Sequence, residues 1–121
     1  AAAGAETPIL VLGYYNPFVA ASIRSSSNPD LEAARAIFDR LNDQIVAATK
    51  ATGATYVSVE KAFSVGDTTP ESVEGRSVPA EVAAVCRLTY ACTVGDIHLT
   101  DEGAATVAGV LATAVKGAGI G

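Results

Sequence analysis

Pro8-Ile9-Leu10-Val11-Leu12-Gly13 is a short, unbroken run of branched apolar residues closed by glycine. Such a run suits a strand covered on both faces, as in a parallel sheet, better than an alternating surface strand. Tyr14-Tyr15-Asn16-Pro17-Phe18 follows as a loop carrying three aromatics, and Arg24-Ser25-Ser26-Ser27-Asn28-Pro29 reads as an exposed connection. Asp30 then opens a helix in which Leu31, Ala34, Phe38, Leu41, Ile45 and Ala48 recur at steps of three and four and form one stripe. Glu32, Arg35, Asp39, Asp43 and Lys50 fall mostly off that stripe, and Gly53 is a natural stop. Thr55-Tyr56-Val57-Ser58-Val59 has strand chemistry. Strand, long helix and strand make a βαβ unit with a right-handed crossover, so the predicted class is α/β.

Beyond it, Phe63–Arg76 reads as a loop, with Gly66, Pro70 and Gly75. A short helix is expected from about Pro79, turning Val82 and Val85 inward and running into Cys86. Thr100 or Asp101 caps a final helix carrying Ala104, Val107, Val110, Leu111 and Ala114, and the tail Gly117–Gly121 is expected to fray. The first strand reads as buried on both faces, yet two strands cannot supply that burial. Ala1–Ala5 resembles the end of a helix, with strand chemistry starting at once. The expectation is that residues 1–121 are part of a larger sheet within one domain.

The composition narrows the function. The chain of 121 residues is 50% hydrophobic and 17% charged, with a net charge of −5. That allows one domain with a modest core, and not a disordered tail. The acidic balance and the lack of a Lys/Arg cluster argue against nucleic acid and anionic membrane surfaces. No apolar run approaches the length of a membrane span, and Ala1–Glu6 has neither the basic start nor the apolar core of a signal peptide.

Cys86 and Cys92, in Cys86-Arg87-Leu88-Thr89-Tyr90-Ala91-Cys92, are the two cysteines. With one distant histidine they make no zinc ligand set, so no metal and no cofactor are expected. They read as a local disulfide, which places the protein outside the reducing cytosol, or as free thiols filling space in a core. The one histidine lies in Gly95-Asp96-Ile97-His98-Leu99-Thr100, behind an acid and ahead of a helix start. An imidazole so placed can act as a general base, its tautomer chosen by the acid; it can also be a structural loop residue.

Four segments, in order, resemble the C-terminal half of secreted SGNH (GDSL-type) esterases and lipases. Ile9–Phe18 is similar to the strand and loop past the middle of those enzymes. Leu41-Asn42-Asp43-Gln44-Ile45, with Thr52–Val59 and Phe63, is similar to the helix and strand that follow. The cysteine pair and Gly95-Asp96-Ile97-His98 resemble the catalytic-histidine block of actinobacterial-type members. The likeness runs from about Pro8 to Val115 and implies a flavodoxin-like three-layer α/β/α sandwich that hydrolyses esters through a serine.

In that family the serine stands in a Gly-Asp-Ser motif near the N-terminus, and a Gly and an Asn from two further blocks help form the oxyanion hole. This sequence has no Gly-Asp-Ser: Gly66-Asp67 is followed by Thr68 and Gly95-Asp96 by Ile97. It has no Gly-x-Asn-Asp block either, since Asn42-Asp43 falls within a helix. The resemblance therefore implies the C-terminal part of a serine ester hydrolase, with the nucleophile and oxyanion residues outside this chain. Alone, such a chain is expected to be inactive on esters. The alternative is a non-catalytic secreted binding or interaction module that keeps the fold remnant.

The resemblance makes His98 the catalytic base. The family's acid lies three residues before the histidine, where Gly95 stands here; Asp96 is two before. Either the Asp96 carboxylate or a main-chain carbonyl near Gly95 then takes the Nδ1 proton. Tyr14, Tyr15, Asn16 and Phe18 follow the carboxyl end of the first strand, where ligands bind in open parallel sheets. They either line an acyl or alcohol pocket or simply cover the sheet end. Asp101 and Glu102 favour the N-terminus of the last helix, and the Phe63–Arg76 loop is a rim of the site or a solvated connection. The partners implied are an ester substrate (a lipid, an acetylated sugar or a small ester) and either the missing N-terminal half or a second copy through the open sheet. The place of action is secreted or the cell envelope.

Overall fold

A computed structural model describes residues 4, 7–24 and 30–120. The expectations for Ala1–Ala5 as a helix end and for Ser25–Pro29 as an exposed connection fall mostly or wholly outside these residues. The described chain is mixed α/β, with four helices and two small two-stranded sheets, one parallel and one antiparallel. In order the elements are β1 (Leu10–Leu12), a 3-10 turn (Pro17–Ala20), α1 (Ala21–Arg24), α2 (Leu31–Thr52), β2 (Thr55–Val57), β3 (Pro70–Val73), β4 (Arg76–Pro79), α3 (Ala80–Leu88) and α4 (Asp101–Gly117).

The β1–α2–β2 unit is the one expected. β1 pairs parallel with β2, Leu10 opposite Thr55 and Leu12 opposite Val57. Main-chain bonds from Thr55 N to Ile9 O (2.9 Å) and Gly13 N to Val57 O (2.8 Å) extend the ladder at each end. Asp30 caps α2 by accepting from Ala33 N at 2.9 Å, and Gly53 closes it in the left-handed region. β2 stops at Val57, short of the expected Val59, because Ser58 Oγ accepts from Glu60 N and bends the chain into a turn.

The buried stripe of α2 differs from the expected one. Leu41 and Ala48 are exposed, while Phe38, Asn42 and Thr49 are buried. Polar residues take the inner positions because their polar atoms are satisfied there. Thr49 Oγ donates to Ile45 O at 2.7 Å within its own helix. Asn42 pairs with the main chain of Tyr14 in both directions, accepting from Tyr14 N (3.3 Å) and donating to Tyr14 O (3.2 Å). Its amide thus stands in for a neighbouring strand and fixes the exit from β1. β1 and its approach are only partly covered: Ile9, just before the strand, is 56% exposed and Leu12 39%.

The Phe63–Arg76 loop is corrected. Pro70–Val73 and Arg76–Pro79 form an antiparallel hairpin. Its two-residue turn, Glu74-Gly75, has positive φ at both positions (50° and 77°), the geometry that matches strand twist. α3 begins at Ala80 after Pro79, as expected, but is buried nearly all round from Ala80 to Val85, not only at Val82 and Val85. Among those buried residues is Glu81, whose carboxylate takes Arg35 Nε at 2.8 Å and ties α3 to α2.

Thr100, and not Asp101, caps α4, its hydroxyl accepting from Gly103 N at 3.1 Å. Gly103 lets this end close onto α3: a Cβ there would lie 2.0 Å from Leu88 O. α4 runs through Gly117, and the described part of the tail expected to fray turns back through the bonds Gly119 N to Lys116 O and Ile120 N to Val115 O; Gly121 lies outside the described residues. The core gathers Val19, Val59, Phe63, Val82, Val85 and Leu88 between α3, the 3-10 turn and the sheet end.

Candidate active site

The histidine segment is built on the end of α3. After Leu88 the chain extends, and Thr89 bridges antiparallel to Leu99. Tyr90 N donates to His98 O (3.1 Å) and Thr100 N to Leu88 O (2.9 Å). The Cys86–Cys92 disulfide brackets this segment, with its Cα atoms 5.1 Å apart. Closing so small a loop removes about 2 kcal/mol of unfolded-chain entropy. Its local effect is to hold Thr89–Ala91, the rail on which His98 rests.

Between the cysteines and α4 the chain turns at Gly95, whose φ is +74°. The turn brings Asp96 back onto His98. Asp96 Oδ1 accepts the main-chain N–H of His98 at 2.9 Å and also contacts its ring Nδ1 closely. The carboxylate, and not a carbonyl near Gly95, therefore stands at Nδ1; the Nδ1–H tautomer that it favours carries its lone pair on Nε2. The His98 N–H first, and the ring second, hold the Asp96 carboxyl below the usual carboxylate range. The His98 side chain is 84% exposed, so Nε2 is open to a reacting group. Among the described residues the ring has no hydrogen-bond partner besides Asp96.

Tyr15 fixes the same bend from the other side. Its hydroxyl donates to Ile97 O, and its ring stacks between Tyr14 (5.1 Å) and Phe63 (4.5 Å). Burial foremost, with Tyr14 and Asp96 nearby, raises the Tyr15 hydroxyl far above its ordinary pKa, so it remains a donor.

A cavity of about 190 Å³ opens beside the imidazole. Gly13, Tyr14 and Tyr15, which follow β1, line it with Val59, which follows β2, and with Ile97 and His98. It therefore sits at the carboxyl ends of two parallel strands, where open α/β sheets place ligands. Gly13 leaves room in this wall for Tyr56, whose ring would have to shift for a Cβ there, its hydroxyl being 2.2 Å from that position.

The other site expectations divide. Tyr14 and Tyr15 line this cavity. Phe18 instead borders a second cavity of about 440 Å³ on the far side of Ile97. Asn16 lines neither: it has no exposed surface, and its Oδ1 accepts from Phe18 N at 3.1 Å to start the 3-10 turn. Asp101 and Glu102 lie in the first turn of α4, and Glu102 pairs with Arg87 at 3.0 Å. The tie from Tyr15 to Ile97 was not anticipated, since its partners are 82 residues apart and no local pattern marks it.

Among the described residues no group of three or more His, Cys, Asp or Glu side chains could hold a metal ion, and no helix is long and apolar enough to cross a membrane. The comparisons with known proteins add nothing to the geometry: no family model, no curated protein and no solved structure matches the chain.

Proposed function

We propose that this chain is the C-terminal part of an SGNH-type serine ester hydrolase, within a flavodoxin-like α/β/α sandwich whose remaining strands lie outside the 121 residues. One observation carries the reading: an Asp96–His98 pair, with Nε2 open, stands beside an apolar cavity at the carboxyl ends of parallel β1 and β2. His98 Nε2 takes the proton of the nucleophilic serine as its Oγ bonds to the ester carbonyl carbon. It returns that proton to the leaving alcohol as the C–O bond breaks, and then activates water to release the acid. Asp96 holds the tautomer and stabilises the imidazolium. An apolar cavity of about 150 Å³ accepts a benzene ring, so the 190 Å³ here suits a short acyl chain or small ring. The disulfide supports action outside the reducing cytosol, by secretion or at the cell envelope.

The test is to express the protein with its upstream coding sequence and treat it with a fluorophosphonate. The expected adduct maps to a serine before Ala1. His98→Ala lowers hydrolysis of p-nitrophenyl butyrate by about 10²–10⁴-fold, the usual worth of a general base. The isolated 121 residues neither label nor hydrolyse. A labelled serine within them, or no labelling of the longer protein, overturns the reading and leaves a non-catalytic binding module.

A further inference from the structure

Ile97 stands between two cavities. One is the apolar pocket beside His98; the other, of about 440 Å³, is bordered by Phe18, Arg24, Ala91 and Gly95. Arg24 ends α1 and reaches across to the histidine segment. Its guanidinium occupies the space beside Gly95 where a side chain would stand, with Nη1 2.2 Å from the position of a Cβ. The positive φ at 95 favours glycine, and the bare Cα leaves the space that the Arg24 guanidinium fills.

Among the described residues no carboxylate pairs with Arg24; the ion pairs are Arg35–Glu81, Arg87–Glu102 and His98–Asp96. A guanidinium is ionised at every working pH and offers a fork of donors that fits an oxyanion. On a chain of net charge −5, a cation lining a cavity one residue from the base-bearing segment is a local exception. The dividing wall is held in place, because Tyr15 ties the Ile97 carbonyl and the Thr89–Leu99 bridge follows directly.

We propose that the Arg24 cavity binds an oxyanion, carboxylate or phosphate, borne by the substrate on the opposite side of the ester from the group in the apolar pocket. The inference rests on the hydrolase reading. An ester lying across Ile97 places its acyl chain beside His98 and its acidic alcohol portion beside Arg24. The substrate class is then short acyl esters of acidic alcohols.

The test compares three butyrate esters on the protein expressed with its upstream sequence: those of glycerol, glycerol phosphate and glyceric acid. One or both anionic esters should exceed the glycerol ester in kcat/KM by about ten- to a hundredfold, as for one charge-assisted contact. The two anionic arms separate phosphate from carboxylate. Arg24→Gln should bring the ratio of anionic to neutral ester close to one, and Arg24→Lys should restore part of it. A second readout needs no turnover: inorganic phosphate or acetate should shift the Gly95 and Ile97 amide resonances of the His98→Ala protein, but not of His98→Ala/Arg24→Gln. Shifts without hydrolysis of any ester would remove the hydrolase reading and keep the anion site. Hydrolysis without charge preference, a preference surviving Arg24→Gln, or shifts independent of Arg24 would overturn the proposal.

Discussion

Asp96 Oδ1 serves both the main-chain N–H and the ring of the same residue, so backbone bend and imidazole orientation are set by one atom. Because the Asp96 pKa is lowered in the folded state, its hold on the bend is complete above the ordinary carboxylate range. It is lost as pH falls through the lowered value. Tyr15 is the second anchor, and Tyr15→Phe isolates it. Losing one buried hydroxyl-to-carbonyl bond should cost about 1 kcal/mol, or about 4 °C in Tm for a chain of this size. Hydrogen exchange should quicken at Ile97 and His98 while Phe63 keeps its protection; unchanged exchange there would refute the anchoring role. The sequence left open whether Asp96 or a carbonyl meets His98, since a contact across two residues depends on the turn between them. That turn is set by Gly95, by Tyr15 from the far end of the chain and by the bridge to Thr89. His98 was legible as a candidate because an acid, a histidine and a helix cap lie together in sequence.

The elements were legible where their signals are local. Asp30 and Gly53 bound α2, and the periodic residues between them make it a helix. Its inward face was misjudged at Leu41 and Ala48, because an apolar count cannot foresee that Asn42 finds the Tyr14 main chain. The β3–β4 hairpin was missed because Glu74-Gly75 is a poorer turn signal than Asn-Gly or Asp-Gly, and both strands are short and mostly exposed. Within α4 two glycines should respond oppositely to alanine. Gly103→Ala forces a Cβ into Leu88 O and should destabilise by about 1–3 kcal/mol. Gly109 has open space around it, so Gly109→Ala should stabilise by about 0.5–1 kcal/mol through helix propensity. Urea denaturation of both variants checks the pair, and equal signs would contradict the described contact between α3 and α4.

At the scale of the molecule, the parallel sheet has two described strands and leaves much of its surroundings apolar. Ile9 just before β1 and Leu12 within it are exposed, as are Ile37 (57%) and Leu41 (45%) on α2. Exposed apolar area and an unpaired strand edge favour association with a complementary half or a second copy. The 121-residue protein should therefore show concentration-dependent association in sedimentation, weakened by Ile37→Lys with Leu41→Lys. A monomer at the highest soluble concentration, with or without the lysines, would count against it. The expectation of a larger sheet came from counting strands, an argument about whole folds that no single residue displays.

The pairing of Leu10 with Thr55 also bears on the order in which the molecule assembles. Bringing β1 to β2 closes a long stretch of chain before any contact repays the lost freedom, whereas Leu88 to Thr100 and Cys86 to Cys92 are short-range closures. By this argument the histidine bend should form early, among the local contacts, and the cavity wall it faces should form late. The hydroxyl of Tyr15 should arrive with that wall, so the imidazole of His98 is expected to gain its fixed orientation as a late event of folding.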